Sequence, residues 1–441
     1  PDKTFRSTPF YLSYHAALNH TLLRKLNRLM AKGLIKVPKQ SSFMNKKKKI
    51  GIISQHFYAH SVMDFYCNTL INIPSEFHVT IINIDPVKID HVTRKLMKRA
   101  DVYLQPSINQ EELIPLILKQ QFDLIIYPEV GMSPNIYYLA MQRLAKNQAV
   151  IIGHPDTTGI KTIDYYISWS YFHKTIKNPE RQFTEQLVQL KNFPLCYDWP
   201  KELKRAKKSR KELGIGGKGD RVYFIPMLLF KVHPMFDDVI DGILKKDKHA
   251  VVLLVCYNKI EHQLMRRFQK RIPNENMKRI KFKLPFSRVD YFSVLKHADV
   301  VLETFPFGGG NTVLQSMAAG TPVVTLKGTT LRGSFGTGLY QYIDYLQCIA
   351  ASPNEFIDIA IDIANNPSKK VAFKNIISKN KQQLFGNMIG SYEFYDWGRF
   401  NLEESGKIYF DRKRKVQFMG EYGTCWNSKC RNCDRANCWL G

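Results

Sequence analysis

The chain has 441 residues, 44% hydrophobic and 12% aromatic, and its 65 lysines and arginines exceed its 38 acidic residues by 27. That length exceeds one ordinary domain and suits two or three. There is no uninterrupted apolar run of membrane-spanning length and no charged-then-apolar leader, so the expectation is a soluble cytoplasmic protein. The positive excess would attract phosphates, nucleic acid or anionic lipid. It is scattered through runs such as Lys46–Lys49 and Lys201–Lys211 and accompanies no nucleic-acid module, so it reads mainly as solvated faces and linkers.

Residues 5 to 35 are helical in pattern, with Leu18, Leu22, Leu23, Leu26, Leu29 and Met30 at helical spacing and Gly33 as a stop. They read as a helical prelude and not as a domain. The polar, basic stretch from Pro38 to Lys49 reads as a linker. Ile50 to Ser54 is then a short apolar strand running into Gln55-His56-Phe57-Tyr58-Ala59-His60, with a helix from Ser61 to Ile71. Further strands are expected at Val79 to Ile84, Val102 to Leu104, Phe122 to Tyr127, Ala149 to Gly153, Tyr165 to Ser168 and Glu185 to Lys191. Helical patterns lie at His91 to Arg99, Gln110 to Gln120 and Pro134 to Leu144. Alternation of this kind predicts a parallel, doubly wound sheet with its ligands at the carboxyl ends of the strands. His60, Glu129 and His154 would share that rim, with Glu129 read as structural.

Residues 201–220, rich in basic residues and ending in Gly214, Gly216, Gly217 and Gly219, read as a linker between domains. A second α/β unit follows, with strands at Arg221 to Pro226, Ala250 to Cys256, Arg279 to Leu284, Asp299 to Glu303 and Pro322 to Leu326. Helices are expected at Met235 to Leu244, Lys259 to Arg271, Val289 to Lys296 and Asn311 to Ala319, and residues 353 to 385 close the unit as helices. The resulting plan is a prelude and linker (1–47), a first Rossmann-like domain (48–200), a basic linker (201–220), a second Rossmann-like domain (221–387) and a C-terminal extension (388–441). The two α/β units would face a cleft.

Within the second unit, Leu302-Glu303-Thr304-Phe305-Pro306-Phe307-Gly308-Gly309-Gly310-Asn311-Thr312 joins a strand to a helix through three glycines. Such a turn either serves tight packing alone or aims backbone N–H groups and a helix start at an anion, in particular a diphosphate. At the other end of the chain, Cys425, Cys430, Cys433 and Cys438 place four thiols within fourteen residues. They can ligate a structural zinc or iron, or stand free or paired in an ancillary tail. Cys67, Cys196, Cys256 and Cys348 read as reduced core residues.

His297 to Gly308, with Met317-Ala318-Ala319-Gly320-Thr321-Pro322-Val323-Val324-Thr325, resembles the nucleotide-binding half of the O-GlcNAc transferase family, which includes SPINDLY proteins and the bacterial adhesin N-glucosyltransferases. Ile50 to His60 resembles the family's first strand and active-site histidine, and Gly153-His154-Pro155-Asp156-Thr157-Thr158-Gly159 a further characteristic stretch. The resemblance covers roughly residues 48 to 385. It implies a GT-B fold and an inverting, metal-independent transfer of a sugar, GlcNAc or another hexose, from a UDP donor to Ser/Thr or Asn of a protein acceptor, with no cofactor needed for catalysis.

Carried over by position, the resemblance makes His60 the active-site histidine and sets Lys231 against the diphosphate. Phe286 and Arg288 fall where the family holds uracil, and Gly310, Asn311 and Thr312 at the phosphate-binding helix start; His154 is a weaker donor-side candidate. Gln315 stands where relatives usually have an Asp on the ribose, and Leu228 where O-GlcNAc transferases have a Gln. Gln315 keeps hydrogen-bonding capacity and Leu228 has none. A non-catalytic GT-B-fold partner or chaperone subunit is the alternative these two departures favour. Bare charge favours only a nucleic-acid or anionic-surface binder. The sequence is silent on oligomeric state.

Overall fold

The computed structural model describes residues 8–34, 37–38, 43–84, 89–256 and 260–403. Seven strands make the first sheet: β1 (Lys49–Ser54), β2 (His78–Asn83), β3 (Val102–Leu104), β4 (Phe122–Tyr127), β5 (Ala145–Ile151), β6 (Tyr165–Trp169) and β7 (Gln186–Leu190). All are parallel, in the order β3-β2-β1-β4-β5-β6-β7. Helices on both faces bury each central strand from two sides, which is why β1 and β4 read as apolar runs. Ile52 lies opposite Ile81 in β2 and Ile126 in β4, and all three are fully buried or nearly so.

The second sheet comprises β8 (Arg221–Ile225), β9 (Ala250–Val255), β10 (Ile280–Lys283), β11 (Val300–Leu302), β12 (Val323–Leu326) and β13 (Ile349–Ala350), in the order β10-β9-β8-β11-β12-β13. Both sheets reverse strand order once beside their first strand, between β1 and β4 and between β8 and β11. At such a switch point the loops leave in opposite directions and a crevice opens above the strand ends. The loops after β1, β4, β8 and β11 therefore own the site.

The strands and main helices lie within a residue or a few of their expected places. The prelude differs in form: it is a 3-10 segment Pro9–Tyr14, a helix His20–Met30 and a 3-10 turn Ala31–Gly33. The helix lies on the first half, where Asn27 donates to the Thr158 carbonyl (2.9 Å) and accepts from Tyr137 Oη (2.5 Å). Gly159, at φ +69°, lets it come so close, since a Cβ there would stand 2.6 Å from that of Leu23.

The halves are joined twice. The chain passes from first to second half through Asn192 to Gly219, where the expected linker carries short helical turns at Lys201–Lys204 and Arg210–Leu213. It returns in the helix Ile389–Glu403. That helix is seated on the first half: Ser391 Oγ meets Thr69 Oγ1 at 2.8 Å, Glu393 accepts from the amides of Lys191 and Asn192 (2.7 and 2.9 Å), and Trp397 packs edge-on against Tyr165. Among the described residues no helix is long and apolar enough to cross a membrane.

Candidate active site

Between the halves lies a cleft of about 1060 Å3, lined by residues of the loops after β1, β4, β8 and β11 and of the prelude. Its floor on the second half is the glycine turn. The side chain of Glu303 reaches back under the turn and accepts the Gly309 N–H at 2.9 Å. A Cβ at Gly308 would fall 2.4 Å from Glu303 Oε1, and one at Gly309 would fall 2.0 Å from Thr312 Oγ1. The glycines are thus dictated by close approach of side chains beneath the loop. Helix Asn311–Ala318 starts at the turn with no side-chain cap, so its first N–H groups stay available to the cleft. Asn311 Oδ1 and Thr312 Oγ1 are buried without a hydrogen-bond partner. Gly320, at φ +76°, ends the helix as expected.

Lys231 follows β8 in the 3-10 turn Leu229–Lys231 and crosses to this loop. Its ammonium donates to the Gly308 carbonyl at 2.8 Å and lies 4.4 Å from the centre of the Phe307 ring. Burial brings its pKa down from the usual lysine range to about 8, opposed by the Glu303 carboxylate. The same burial raises Glu303 to about 7. Lys231 and the helix start at 310–312 are therefore brought together, and they form a cationic, donor-rich corner beside aromatic surface.

His60 caps helix Ser61–Ile71, its Nδ1 accepting the Val62 N–H at 3.2 Å. Because Nδ1 is the acceptor, the neutral ring carries its proton on Nε2, which is then a donor. Burial lowers the pKa of His60, and its ring stacks on His56 at 4.3 Å. Burial, and then the neighbouring His60, lowers His56 to about 4, so both rings are neutral at physiological pH. The adjacent Ser61 carbonyl accepts from Asn311 Nδ2 at 2.8 Å, which sets the starts of the two helices against each other across the cleft.

His154 and Glu129 also line the cleft. His154 Nε2 meets Ser13 Oγ at 2.8 Å beneath Phe10, and burial lowers its pKa to about 4. Glu129 is raised to about 8 by burial and accepts from Ser54 Oγ at 2.7 and 2.8 Å. It fixes the turn after β1, which matches its structural reading. Gln315 is nearly buried on the cleft wall with Phe286, and Leu228 exposes 36% of its surface. Arg288 lies at the cleft but is already engaged, pairing with both Asp64 oxygens at 3.1 and 3.2 Å and with Glu202 at 2.7 Å. Sequence reading assigned it only to the base.

Two contributions were not anticipated. The prelude lines the cleft: Tyr14 stacks on Phe307 at 4.3 Å and meets Phe230 edge-on at 4.7 Å. Arg332, 1% exposed, pairs with Asp156 at 2.7 Å and donates to the carbonyls of His15 and Ala17 at 3.1 and 2.6 Å. One guanidinium thus joins both halves and the prelude. The only signal was a lone arginine in a Gly/Thr/Ser-rich loop. Among the described residues no cluster of His, Cys, Asp or Glu could hold a metal ion, and Cys425, Cys430, Cys433 and Cys438 lie outside them.

Two parallel Rossmann-like sheets that face a cleft, with a phosphate-type helix start in the second, define the GT-B class of glycosyltransferase folds. Residues 208–389 match the family model described as glycosyl transferase family 41. A probable UDP-N-acetylglucosamine–peptide N-acetylglucosaminyltransferase SPINDLY of Solanum lycopersicum is 23% identical over 367 residues, covering 78% of this chain and 38% of that protein. A UDP-glucose:protein N-beta-glucosyltransferase of Actinobacillus pleuropneumoniae is 23% identical over 351 residues, covering 77% of this chain and 54% of that one. The chain thus spans about half or less of the length of these curated relatives. Among solved structures, a mutant of the Thermobaculum terrenum O-GlcNAc transferase superposes with a TM-score of 0.75 at 21% identity, covering 88% of this chain and 75% of that one. The HepE protein of Anabaena with UDP bound gives 0.51 at 12% identity, covering 80% of this chain and 100% of that one. These matches bear out the resemblance to O-GlcNAc transferase and SPINDLY-like proteins.

Proposed function

We propose that the chain is an inverting, metal-independent, cytoplasmic glycosyltransferase that moves a hexose from a UDP donor to a Ser/Thr or Asn side chain of a protein. The observation that carries this reading is the corner where the Lys231 ammonium, the uncapped start of helix Asn311–Ala318 and the unpartnered Thr312 hydroxyl converge. In such a transfer the acceptor atom attacks the anomeric carbon, the bond to the β-phosphate oxygen breaks, UDP departs with the electron pair, and the proton released by the acceptor O–H or N–H passes to the departing diphosphate or to water. Charge grows on the diphosphate, and fixed positive groups that await it need no reorganisation. Lys231 and the amides at 310–312 occupy that role. The Nε2–H tautomer suits His60 to hydrogen-bond an oxygen; a base role would require the ring to switch tautomer and give up its cap. Names of the relatives, which specify UDP-sugars and protein or peptide acceptors, support the substrate classes.

Lys231 supplies a test. With a free-state pKa of about 8, Lys231 is partly neutral at pH 8.5. A bound diphosphate favours the charged form and raises that pKa, so UDP binding should take up a proton there, and UDP affinity should fall as pH rises through 8. Calorimetry in two buffers of different ionisation enthalpy reads the uptake. Equal heats in both buffers at pH 8.5 would reject proton uptake at Lys231, no binding of UDP would reject the donor assignment, and a panel of UDP-sugars with mass-spectrometric detection tests transfer itself. The second reading, a non-catalytic partner, is favoured by the apolar Leu228 facing the cleft and by Arg288 already paired with Asp64 and Glu202. It predicts binding without turnover.

A further inference from the structure

We propose that the prelude carries a docking groove for the acceptor polypeptide, one that takes a large apolar side chain flanked by acidic residues. The inference rests on the glycosyltransferase reading and describes the second substrate of the same site. Beside the cleft lies a separate groove of about 460 Å3 lined by Pro9, Tyr11, Leu12, Leu26, Met30 and Tyr138. Its volume falls within the ~300–1,000 Å3 typical of ligand pockets. Thr8 and Tyr11 line both the groove and the cleft, and Tyr11 is 65% exposed. A polypeptide whose reacting side chain reaches the Lys231 corner would therefore meet this groove along its own length. A small diffusible acceptor would have no use for it.

The surface around the groove states what the partner should look like. Helix His20–Met30 turns Leu23 and Asn27 inward and leaves Leu22 and Leu29 exposed at 51% and 62%, with Leu18 at 52% just before it. Arg24, Lys25, Arg28 and Lys32 are exposed along the same stretch, and His20 to Gly33 contains no acidic residue. A merely solvated face would carry the cations without the leucines. Apolar side chains set among cations complement a peptide with an apolar anchor and carboxylates beside it. An anionic membrane shares the charge preference. It would lie on a convex face, however, and a concave groove that shares Thr8 and Tyr11 with the reaction cleft favours the peptide.

Panning the full chain against a random short-peptide library, beside the variants Leu26→Glu and Leu29→Glu, tests this. Leu26 lines the groove, whereas the exposure of Leu29 makes that variant safe for folding. The wild type should enrich peptides with Leu, Phe or Met next to Asp or Glu. A synthetic copy of the strongest should bind each variant about tenfold or more weakly. The rise in melting temperature with UDP should be unchanged in both variants. Absence of enrichment, binding indifferent to both substitutions, or Leu29-dependent capture by phosphatidylserine vesicles in place of peptides overturns the groove alone. Absence of the UDP effect in the wild type overturns the donor reading and the acceptor groove with it.

Discussion

Replacing Lys231 by alanine should lower turnover by about 10²-fold or more while UDP still binds. The interaction strengthens as charge moves onto the departing diphosphate, so its loss falls on kcat more than on donor affinity. The Gly308 carbonyl loses the ammonium that donates to it at 2.8 Å, but the loop keeps the Glu303–Gly309 hydrogen bond and the one from the Gly308 N–H to the Arg332 carbonyl. His60→Ala is expected to reduce transfer also, with UDP affinity largely kept. Steady-state kinetics paired with calorimetry separates the two quantities. A Lys231→Ala protein with unchanged kcat, or one that has merely lost UDP binding in proportion, would contradict the assigned role.

Arg332→Met is expected to be the most destabilising single change in the cleft, by about 3–5 kcal/mol, because it leaves a buried carboxylate unpaired. Asp156 is 9% exposed and would keep only Asn19 Nδ2 (3.3 Å) and the Thr157 amide (3.0 Å). The His15 and Ala17 carbonyls would lose their donor as well. Denaturant midpoints measure the loss, and an Arg332→Met/Asp156→Asn double variant should recover part of it, since the orphaned charge is then gone. A single variant as stable as the parent would show that water replaces the guanidinium.

Much of this architecture could be read from the chain because its determinants are local. Short β-branched apolar runs such as Ile50–Ile53 and Val251–Val255 read as strands buried on two faces, and the turn at 308–312 announces itself through three glycines before a helix start. What escaped depends on partners distant in sequence. Arg288 meets Asp64 and Arg332 meets His15 across 224 and 317 positions, and no spacing rule reaches so far. Helix Phe335–Tyr342 was invisible because Gly336 and Gly338 are poor helix formers. They are present because Cβ atoms there would strike Glu303 and Phe172 at 2.3 and 2.5 Å. The prelude looked ancillary since nothing in residues 9–14 reveals that Tyr14 will find Phe307.

The double covalent link between the halves sets how the cleft can work. With the chain passing over near Asn192 to Gly219 and coming back through the helix Ile389–Glu403, the two sheets are strapped on the same side. Two neighbouring ties resist sliding and twisting of one half on the other. The alignment they leave is held across the cleft by the Asn311–Ser61 hydrogen bond and the buried Arg332–Asp156 pair, so the donor corner faces the start of helix Ser61–Ile71 in one fixed register.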